Sequence, residues 1–302
     1  MTEHKPVMAG YGFAAITLLI WSSFVVVSRL GGNGVLTPFD VAALRIGTAA
    51  VVLSPWWLPR LLRPSLRKLR WHQSLILALL AGIGYPLSAY AGLHLAPASH
   101  GAVLISGMLP LFTSLLAAFF LGERPSLQRL LGMLLILTGG CTLLLASHAA
   151  SAPGTGTGDL LLLCASILWS LFTALLKHWQ VRAFDVTLGV TATSALIYLP
   201  VYAAFLPSHL HLASAGEIAL QAFFQGFLVV CVAMWTYARA AEILGAVKVV
   251  IMMSTVPVTG TLLAVVFLHE PLTALAALGV AITSTGACLG AMARPVRPAQ
   301  SR

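Results

Sequence analysis

The chain carries very little charge. Asp, Glu, Lys and Arg make up only 8% of its 302 residues, whereas soluble domains carry about 25%. Hydrophobic residues account for 59%, so the polar residues cannot coat a water-soluble fold of this size. A helix needs about 20 apolar residues to cross a bilayer. The sequence therefore predicts an all-α membrane protein with ten transmembrane helices, spans 1 to 10, at 9–29, 38–58, 72–94, 98–121, 126–146, 158–178, 184–206, 215–240, 245–268 and 271–292.

Acidic residues are especially scarce. The chain has eight Asp and Glu, and none of them falls near the middle of a predicted span. A buried carboxylate serves many transporters as a proton carrier, and it can neutralise a cationic substrate at membrane depth. Neither device is present in this sequence. Any small-molecule substrate bound at membrane depth would therefore be neutral, zwitterionic or aromatic, because a strongly cationic one would lack a counter-charge in the low-dielectric interior.

Groups that perform covalent or metal chemistry are also lacking. His94 and His100 lie six residues apart without an acidic or thiol partner, so we expect no metal site. No nucleophile and base converge at membrane depth, and no phosphate-binding lysine follows the glycine-rich segment 151–158. The sequence thus predicts neither an enzyme nor a bound cofactor. All four cysteines fall inside predicted spans, where they act as small packing residues: Cys141, Cys164, Cys231 and Cys288.

The basic residues are distributed unequally between the two sides of the membrane. The net charge is +9, and 15 of the 17 Lys and Arg fall on one side, leaving Arg29 and Arg45 for the other. The positive-inside rule then places both termini in the cytoplasm, in a bacterial inner membrane. This distribution explains the basic charge without a nucleic-acid partner. The basic cluster at 60–70 sets this topology or, alternatively, contacts anionic lipid of the bilayer.

The sequence repeats itself at a constant offset. Residues 90–141 match residues 237–288 without a gap at an offset of 147, and the pairs include Pro110 with Pro257 and Gly132 with Gly279. Each half holds five spans, and because five is odd, the second half enters the membrane from the opposite face. The sequence therefore predicts two inverted five-helix repeats, 1–150 and 151–302, with a flexible linker at 151–158.

Two prolines mark candidate cavity positions. Pro110 and Pro257 fall near the middle of spans 4 and 9, where a proline removes one backbone hydrogen bond and frees a carbonyl. Freed backbone at membrane depth is tolerated only beside protein or a water-filled cavity. With Ser106 and Ser254 nearby, the prolines predict two symmetry-related polar notches that line a substrate cavity. The alternative is that these hydroxyls bond only the kinked backbone of their own helices.

Aromatic and amide side chains supply the other candidates. Trp21 and Trp169 lie too deep in spans 1 and 6 to belong to an interfacial belt, and Gln225 is the amide deepest in a span. One interpretation is a substrate-binding cavity wall. The alternative is packing for the rings and a bridge between helices for the amide. Spans 3 and 8 add further candidates to this wall: Tyr85, Tyr90, Trp235 and Tyr237.

Arg45 is the deepest cation in a predicted span. Asp40 lies five residues before it, about 140° around a regular helix, so the two side chains do not face each other. We therefore expect Arg45 either to extend to the outer interface or to meet another helix.

Glycines recur every seven residues on spans 5 and 10. Gly132 and Gly139 share one face of span 5, and Gly279 and Gly286 share one face of span 10. Small residues in this spacing allow two helices to approach closely. The pattern predicts either packing against neighbouring helices of the chain or a contact in a homo-oligomer.

Four segments carry a family resemblance: TPFDVAALRIG, APASHGAVLISGMLPLFTSLLAAFFLGERPSLQRLLGMLLILTGG, GDLLLLCASILWSLFTALLK and VPVTGTLLAVVFLHEPLTALAALGVAITSTG. Together they resemble the drug/metabolite transporter superfamily, and most of all its ten-helix EamA-like branch. The resemblance implies a ten-helix inverted repeat with both termini inside, which moves small metabolites, often amino acids, usually outward. The residues of the family pattern fall here on Pro110, Glu123, Pro257, Glu270 and Arg45. His269 departs from the first repeat, which has Gly122 at that place.

The sequence therefore predicts a secondary transporter whose two halves rock about a cavity at the membrane midplane. Export of small metabolites such as amino acids is the expected function. Multidrug or toxic-compound export is the alternative, because aromatic walls without a fixed charge suit both kinds of solute. A non-transporting membrane scaffold is disfavoured by the duplicated halves and the midplane prolines.

Overall fold

Ten helices long and apolar enough to cross a membrane make up almost all of the structure, a computed structural model that describes residues 4–63, 69–121, 125–148 and 153–293. The number and order of the predicted spans are confirmed. Glu123 and residues 151–152 of the predicted linker lie outside the described residues. The helices are α1 (Val7–Gly31), α2 (Pro38–Leu62), α3 (Trp71–Leu95), α4 (Ala98–Phe119), α5 (Leu127–Ala146), α6 (Thr155–Trp179), α7 (Ala183–Phe205), α8 (Ala215–Leu244), α9 (Ala246–Leu268) and α10 (Ala274–Met292).

Polar side chains fix where several helices begin. Thr37 and Asp40 form a reciprocal capping box at the start of α2, and Ser214 and Glu217 form another at the start of α8. Thr273 accepts a hydrogen bond from the Ala276 backbone at the start of α10. These bonds satisfy backbone N–H groups that have no partner within the first turn of a helix.

Helices α5 and α10 pack against each other through their glycines. A Cβ on Gly132 would lie 2.7 Å from the carbonyl oxygen of Gly286, and a Cβ on Gly139 would lie 2.6 Å from that of Gly279. Each contact is the mate of the other under the offset of 147, so a pseudo-two-fold axis passes between the two helices. Of the two predicted uses of these glycines, the structure shows packing within the chain.

The repeats place equivalent helices in equivalent surroundings. Helix α1 packs on α8 and α9 of the second repeat, and its counterpart α6 packs on α3 and α4 of the first. Helices α2 and α7, also counterparts, pack on each other. The predicted inverted repeat is therefore the arrangement of the chain, and residues of both halves meet at its centre.

Helices α4 and α9 are interrupted at corresponding places. Helix α4 is π-helical over Ala102–Gly107 and turns at Met108, two residues before Pro110. Helix α9 is broken at Ser254 and Thr255, just before Pro257. Met108 and Thr255 are related by the repeat offset. The predicted effect of the prolines on the two helices is thus present in both repeats.

We name the two ends of the bundle by one residue each. The Glu270 end holds the C-terminus of α9 and the N-termini of α2 and α4, and the Arg60 end holds the C-terminus of α2 and the N-terminus of α7. The halves of α4 and α9 that lie towards the Glu270 end pack against each other. Towards the Arg60 end they separate: Leu109–Leu121 packs on α6, and Ala246–Met253 packs chiefly on α8 and α10.

Candidate functional site

Tyr90 and Gln225 lie at the centre of a buried polar network. Tyr90 is 2% exposed and Gln225 is fully buried, and the Tyr90 hydroxyl donates to the Gln225 side-chain oxygen over 3.1 Å. The Gln225 amide nitrogen in turn donates to the Ser28 hydroxyl over 3.0 Å. Gln225 lies in the π-helical part of α8, Ala222–Ala233, whose wider turn changes the direction of the side chains. Gln225 of α8 therefore bridges to α3 and α1, as expected from the alternative in which the amide joins helices.

Arg45 points into the protein at this network. Its side chain comes from α2, the residue is 7% exposed, and its Nη1 lies 3.4 Å from the Tyr90 hydroxyl. The guanidinium carbon lies 6.0 Å from the centre of the Tyr85 ring. Of the two predicted placements for Arg45, the structure shows contact with another helix, α3. We call Arg45, Tyr85, Tyr90 and Gln225 the Arg45 cluster.

The Arg45 guanidinium has no carboxylate partner among the described residues. Every carboxylate that the structure describes is bonded elsewhere, so none is left to neutralise Arg45. The partners are Thr37, Tyr202 and His209 for Asp40, His100 for Asp159, Arg60 and Arg182 for Asp185, Ser214 for Glu217, Arg239 for Glu242, and Ala98 and Ser99 for Glu270. A buried cation without a counter-charge is costly unless a ligand or water compensates it.

Two pairs of aromatic rings, which we call the aromatic layer, join the two repeats, and one of them includes Tyr85 of the Arg45 cluster. Tyr85 contacts Trp169 with ring centres 4.7 Å apart, and Trp21 stacks on Tyr237 at 5.2 Å. These pairs join the two repeats, because Tyr85 and Trp21 belong to the first and Trp169 and Tyr237 to the second. Of the sequence-predicted set, Tyr85, Tyr90 and Gln225 thus lie in the Arg45 cluster and Trp169 contacts Tyr85, while Trp21 forms a separate pair with Tyr237, another candidate of the sequence.

Trp235 stands apart from this layer. Its side chain is 56% exposed and packs edge-on against Phe13, with ring centres 5.3 Å apart. Tyr237 lies two residues further along α8 and points to Trp21 instead. Two residues span about 200° of a regular helix, so Trp235 and Tyr237 cannot share a face.

One of the hydroxyl groups beside the two prolines bonds the backbone of its own helix. The Ser254 hydroxyl donates to the Ile251 carbonyl over 2.6 Å, which is the local bonding that the alternative interpretation predicts. Pro257 is buried against α4, where a Cβ on Gly107 would lie 3.4 Å from its ring. Ser106 and Pro110 of α4 are half-buried. The breaks therefore shape the contact between α4 and α9 as well as any cavity wall.

Hydrogen bonds close the Glu270 end. The Glu270 carboxylate accepts from the backbone N–H groups of Ala98 and Ser99, over 2.6 and 3.0 Å, and from the Ser99 hydroxyl over 2.8 Å. His100 pairs with Asp159 over 2.7 Å. The first contact joins α9 to α4, and the second joins α4 to α6, so both connect the two repeats.

Two further contacts at the Glu270 end involve Asp40 and Arg29. Asp40 accepts from the Tyr202 hydroxyl over 2.5 Å, which joins α2 to α7. Arg29 donates to the carbonyls of Leu93 and His94, over 2.6 and 2.8 Å. The sequence alone does not indicate these partners. It shows only that Asp40, Glu270 and Arg29 all lie near span ends on one predicted side.

The Arg60 end holds an ion pair and a cavity. Arg60 lies 3.9 Å from Asp185, and Arg182, three residues before Asp185, lies 2.9 Å from it. Between α2, α3 and α7 is a cavity of about 260 Å³, lined by residues that include Trp57, Trp71 and Asp185. None of the predicted site residues lines it, so it is separate from the Arg45 cluster.

Comparison with known proteins identifies the family. The profile described as the EamA-like transporter family matches residues 8–145 and again residues 156–291. A crystal structure of a protein 22% identical in sequence superposes with a TM-score of 0.62, covering 95% of this chain and 96% of the other, which supports the fold alone. No curated protein matches the chain. Because the profile covers both halves and nearly the whole length, the chain belongs to the EamA-like transporter family of the drug/metabolite transporter superfamily.

Proposed function

We propose that this membrane transporter is a secondary exporter of small metabolites such as amino acids, and that it works by alternating access around the Arg45 cluster. The observation that carries the proposal is a polar site at membrane depth built from both repeats, because Arg45, Tyr85 and Tyr90 come from the first and Gln225 from the second. A site between two inverted repeats can be exposed to either side when the repeats rock against each other.

The contacts at the Glu270 end support a conformation closed on that side. Hydrogen bonds join α9 to α4 and α7 to α2 there, each between the two repeats. At the Arg60 end, the α2–α7 link is an ion pair of 3.9 Å, and α4 and α9 separate. Closing one end while the other separates is the geometry that alternating access requires.

The distribution of basic residues assigns the two ends. We take the Arg60 end as cytoplasmic and the Glu270 end as external, with both termini in the cytoplasm of a bacterial cell. The site would then receive solute from the cytoplasm and release it outward. Reporter fusions after Ser301 and within the linker at Gly154 test this assignment. Opposite signals are expected, and the same signal at both sites would contradict the ten-helix topology.

The walls of the site favour neutral or zwitterionic solutes. Hydroxyl and amide groups meet aromatic rings around a single cation, so an apolar or aromatic side chain and a compact polar group both find partners. The stacked ring pairs also favour a second candidate, export of aromatic drug-like compounds. A panel of solutes separates the two functions.

Export of labelled solutes from cells with and without the protein tests the proposal. The panel contains neutral amino acids, aromatic amino acids, basic amino acids and aromatic cationic dyes. Faster export of neutral or aromatic amino acids is the expected result. Export of the dyes alone would favour the drug exporter, and equal export of every solute by both strains would contradict transport of these classes.

A variant at the interface serves as the matched control. Trp56 is 48% exposed near the Arg60 end and does not touch the Arg45 cluster. Trp56→Ala is expected to change the amount of protein in the membrane at most. Export normalised to that amount then separates a loss of transport from a loss of expression.

A further inference from the structure

We propose that the Arg45 cluster binds the carboxylate of the transported solute, which makes the substrate class monocarboxylates with an apolar or aromatic side chain. This assignment rests on the proposed function, because it takes the Arg45 cluster as the transport site. The solute must then carry a carboxylate, and Arg45, the deepest described cation of the membrane region, binds it.

The first argument is the missing counter-charge. Arg45 is 7% exposed, and no described carboxylate lies within ion-pair distance of it. A guanidinium has five N–H donors, and the described hydrogen bonds of Arg45 account for one of them, to the Tyr90 hydroxyl. Removing such a group from water is unfavourable unless an anion or several acceptors replace the water. A solute carboxylate supplies both the charge and the acceptors.

The second argument is the direction of the hydrogen bonds around Arg45. The Tyr90 hydroxyl gives its proton to Gln225, and Gln225 gives its own to Ser28, so each polar neighbour is held in place by the next. Tyr90 can therefore only accept from Arg45. This chain fixes the Tyr90 side chain and leaves the other guanidinium N–H groups available to a planar carboxylate, which the fork of an arginine binds with two parallel bonds.

The third argument is the surface next to the cation. The centre of the Tyr85 ring lies 6.0 Å from the guanidinium carbon of Arg45 and 4.7 Å from the centre of the Trp169 ring. The cation therefore has one aromatic ring next to it, and a second ring packs on the first. A solute whose carboxylate meets Arg45 would place its side chain against these rings. Apolar and aromatic side chains gain the most from this contact.

Uptake of two probes into proteoliposomes tests the assignment. Phenylalanine carries the carboxylate, whereas phenylalaninamide keeps the ring and the amino group without it. We expect the native protein to favour phenylalanine over the amide by about 10-fold to 100-fold in kcat/KM, because hydrogen bonds to a charged group are the strong ones. Arg45→Gln should bring the ratio close to one while uptake of the amide persists, and Arg45→Lys should restore part of the preference.

Arg239→Gln is the matched control. Arg239 pairs with Glu242 on the exposed surface of α8, and the same substitution there should leave the ratio unchanged. An Arg45→Gln protein that fails to fold would show no uptake of either probe. A measurement on the native protein alone covers that case: phenylalanine, and not the amide, should raise its thermal midpoint in detergent.

The possible failures differ from one another. If the native protein takes up neither probe, the proposed function is contradicted and the assignment falls with it. If it transports both probes equally, or if Arg45→Gln keeps the native ratio, the carboxylate assignment is wrong and the transport function stands. Inhibition of phenylalanine uptake by inorganic phosphate at equal concentration would assign Arg45 to a phosphate-bearing solute and overturn the proposal.

Discussion

Asp40 and Asp185 occupy the same place in the two repeats, each within a Phe-Asp-Val tripeptide near the start of a helix, yet they bond differently. Asp40, at the Glu270 end, accepts a hydrogen bond from Tyr202 of the other repeat. Asp185, at the Arg60 end, bonds Arg182 of its own turn and lies 3.9 Å from Arg60 of the other repeat. Duplicated sequence thus does not give duplicated contacts.

The two repeats therefore share the arrangement of their helices but differ in the side-chain contacts at the two ends of the bundle. Both repeats build the same five helices, and the glycines of α5 and α10 keep their mutual contact across the pseudo-two-fold axis. At the Glu270 end, hydrogen bonds from side chains join the two repeats. In the alternating access that we propose, the two ends would exchange these roles. Each variant below changes either one contact between the repeats or one break in a helix.

The largest effect is expected at the α5–α10 contact, which both ends share. Gly139→Ala places a Cβ 2.6 Å from the Gly279 carbonyl oxygen, where backbone must move. We expect a loss of about 3 kcal/mol of stability and little folded protein, measured as the thermal midpoint in detergent. Gly47→Ala is the control, because nothing lies within 4 Å of its Cβ. A native midpoint for Gly139→Ala would mean that α5 and α10 are not in this contact.

The second prediction concerns the hydrogen bonds that join the repeats at the Glu270 end. Glu270→Gln replaces three charge-assisted hydrogen bonds from Ala98 and Ser99 of α4 by weaker neutral contacts, so the closed conformation should become less populated. We expect the transport rate to fall by roughly tenfold, which corresponds to about 1.4 kcal/mol. Glu217→Gln removes a carboxylate at the same end whose hydrogen bonds, among the described residues, all come from Ser214 at the start of its own helix, so it should change the rate less than about twofold. Equal effects of both variants would contradict a closing role for Glu270.

The third prediction tests whether the two breaks are equivalent. Pro110→Ala and Pro257→Ala restore a backbone hydrogen bond and straighten α4 and α9. Both are expected to lower the transport rate several-fold, roughly fivefold, with membrane insertion retained. Pro257 contacts α4 directly, so the second variant should have the larger effect. Native rates for both variants would show that the breaks serve packing only.

The smallest effect is expected from the aromatic layer. Trp21→Ala and Trp169→Ala each remove one ring from a pair between the repeats, worth about 1 kcal/mol beyond its buried area. We expect a change in which solutes compete for export more than a change in rate. Competition against one exported amino acid in vesicles measures this. Trp235→Ala, on an exposed ring away from the layer, should leave the order of competitors unchanged.

Much of the candidate site was predictable, and its central member was not. Depth within spans and residue type select Tyr85, Tyr90 and Gln225, which lie in the Arg45 cluster, and Trp169, which contacts Tyr85. Arg45 was known as a deep cation, but its direction depends on the rotation of α2 and on the Tyr90 hydroxyl. Trp235 is the opposite case, because its depth matches that of Tyr237 while its side chain lies on another face of α8, against Phe13. The depth of a residue in the membrane follows from its position along a span, whereas the direction of its side chain depends on how the helices pack.

The sequence by itself determined the features that depend on local chemistry and on repetition. Hydropathy set the ten helices, the offset of 147 set the two inverted repeats, and the prolines set the breaks in α4 and α9. Only the tertiary structure decided that Arg45 turns inward, that Glu270 caps α4 and that the glycines of α5 meet those of α10. These contacts join residues far apart in the chain. They depend on how rigid helices rotate and approach, which no local pattern specifies.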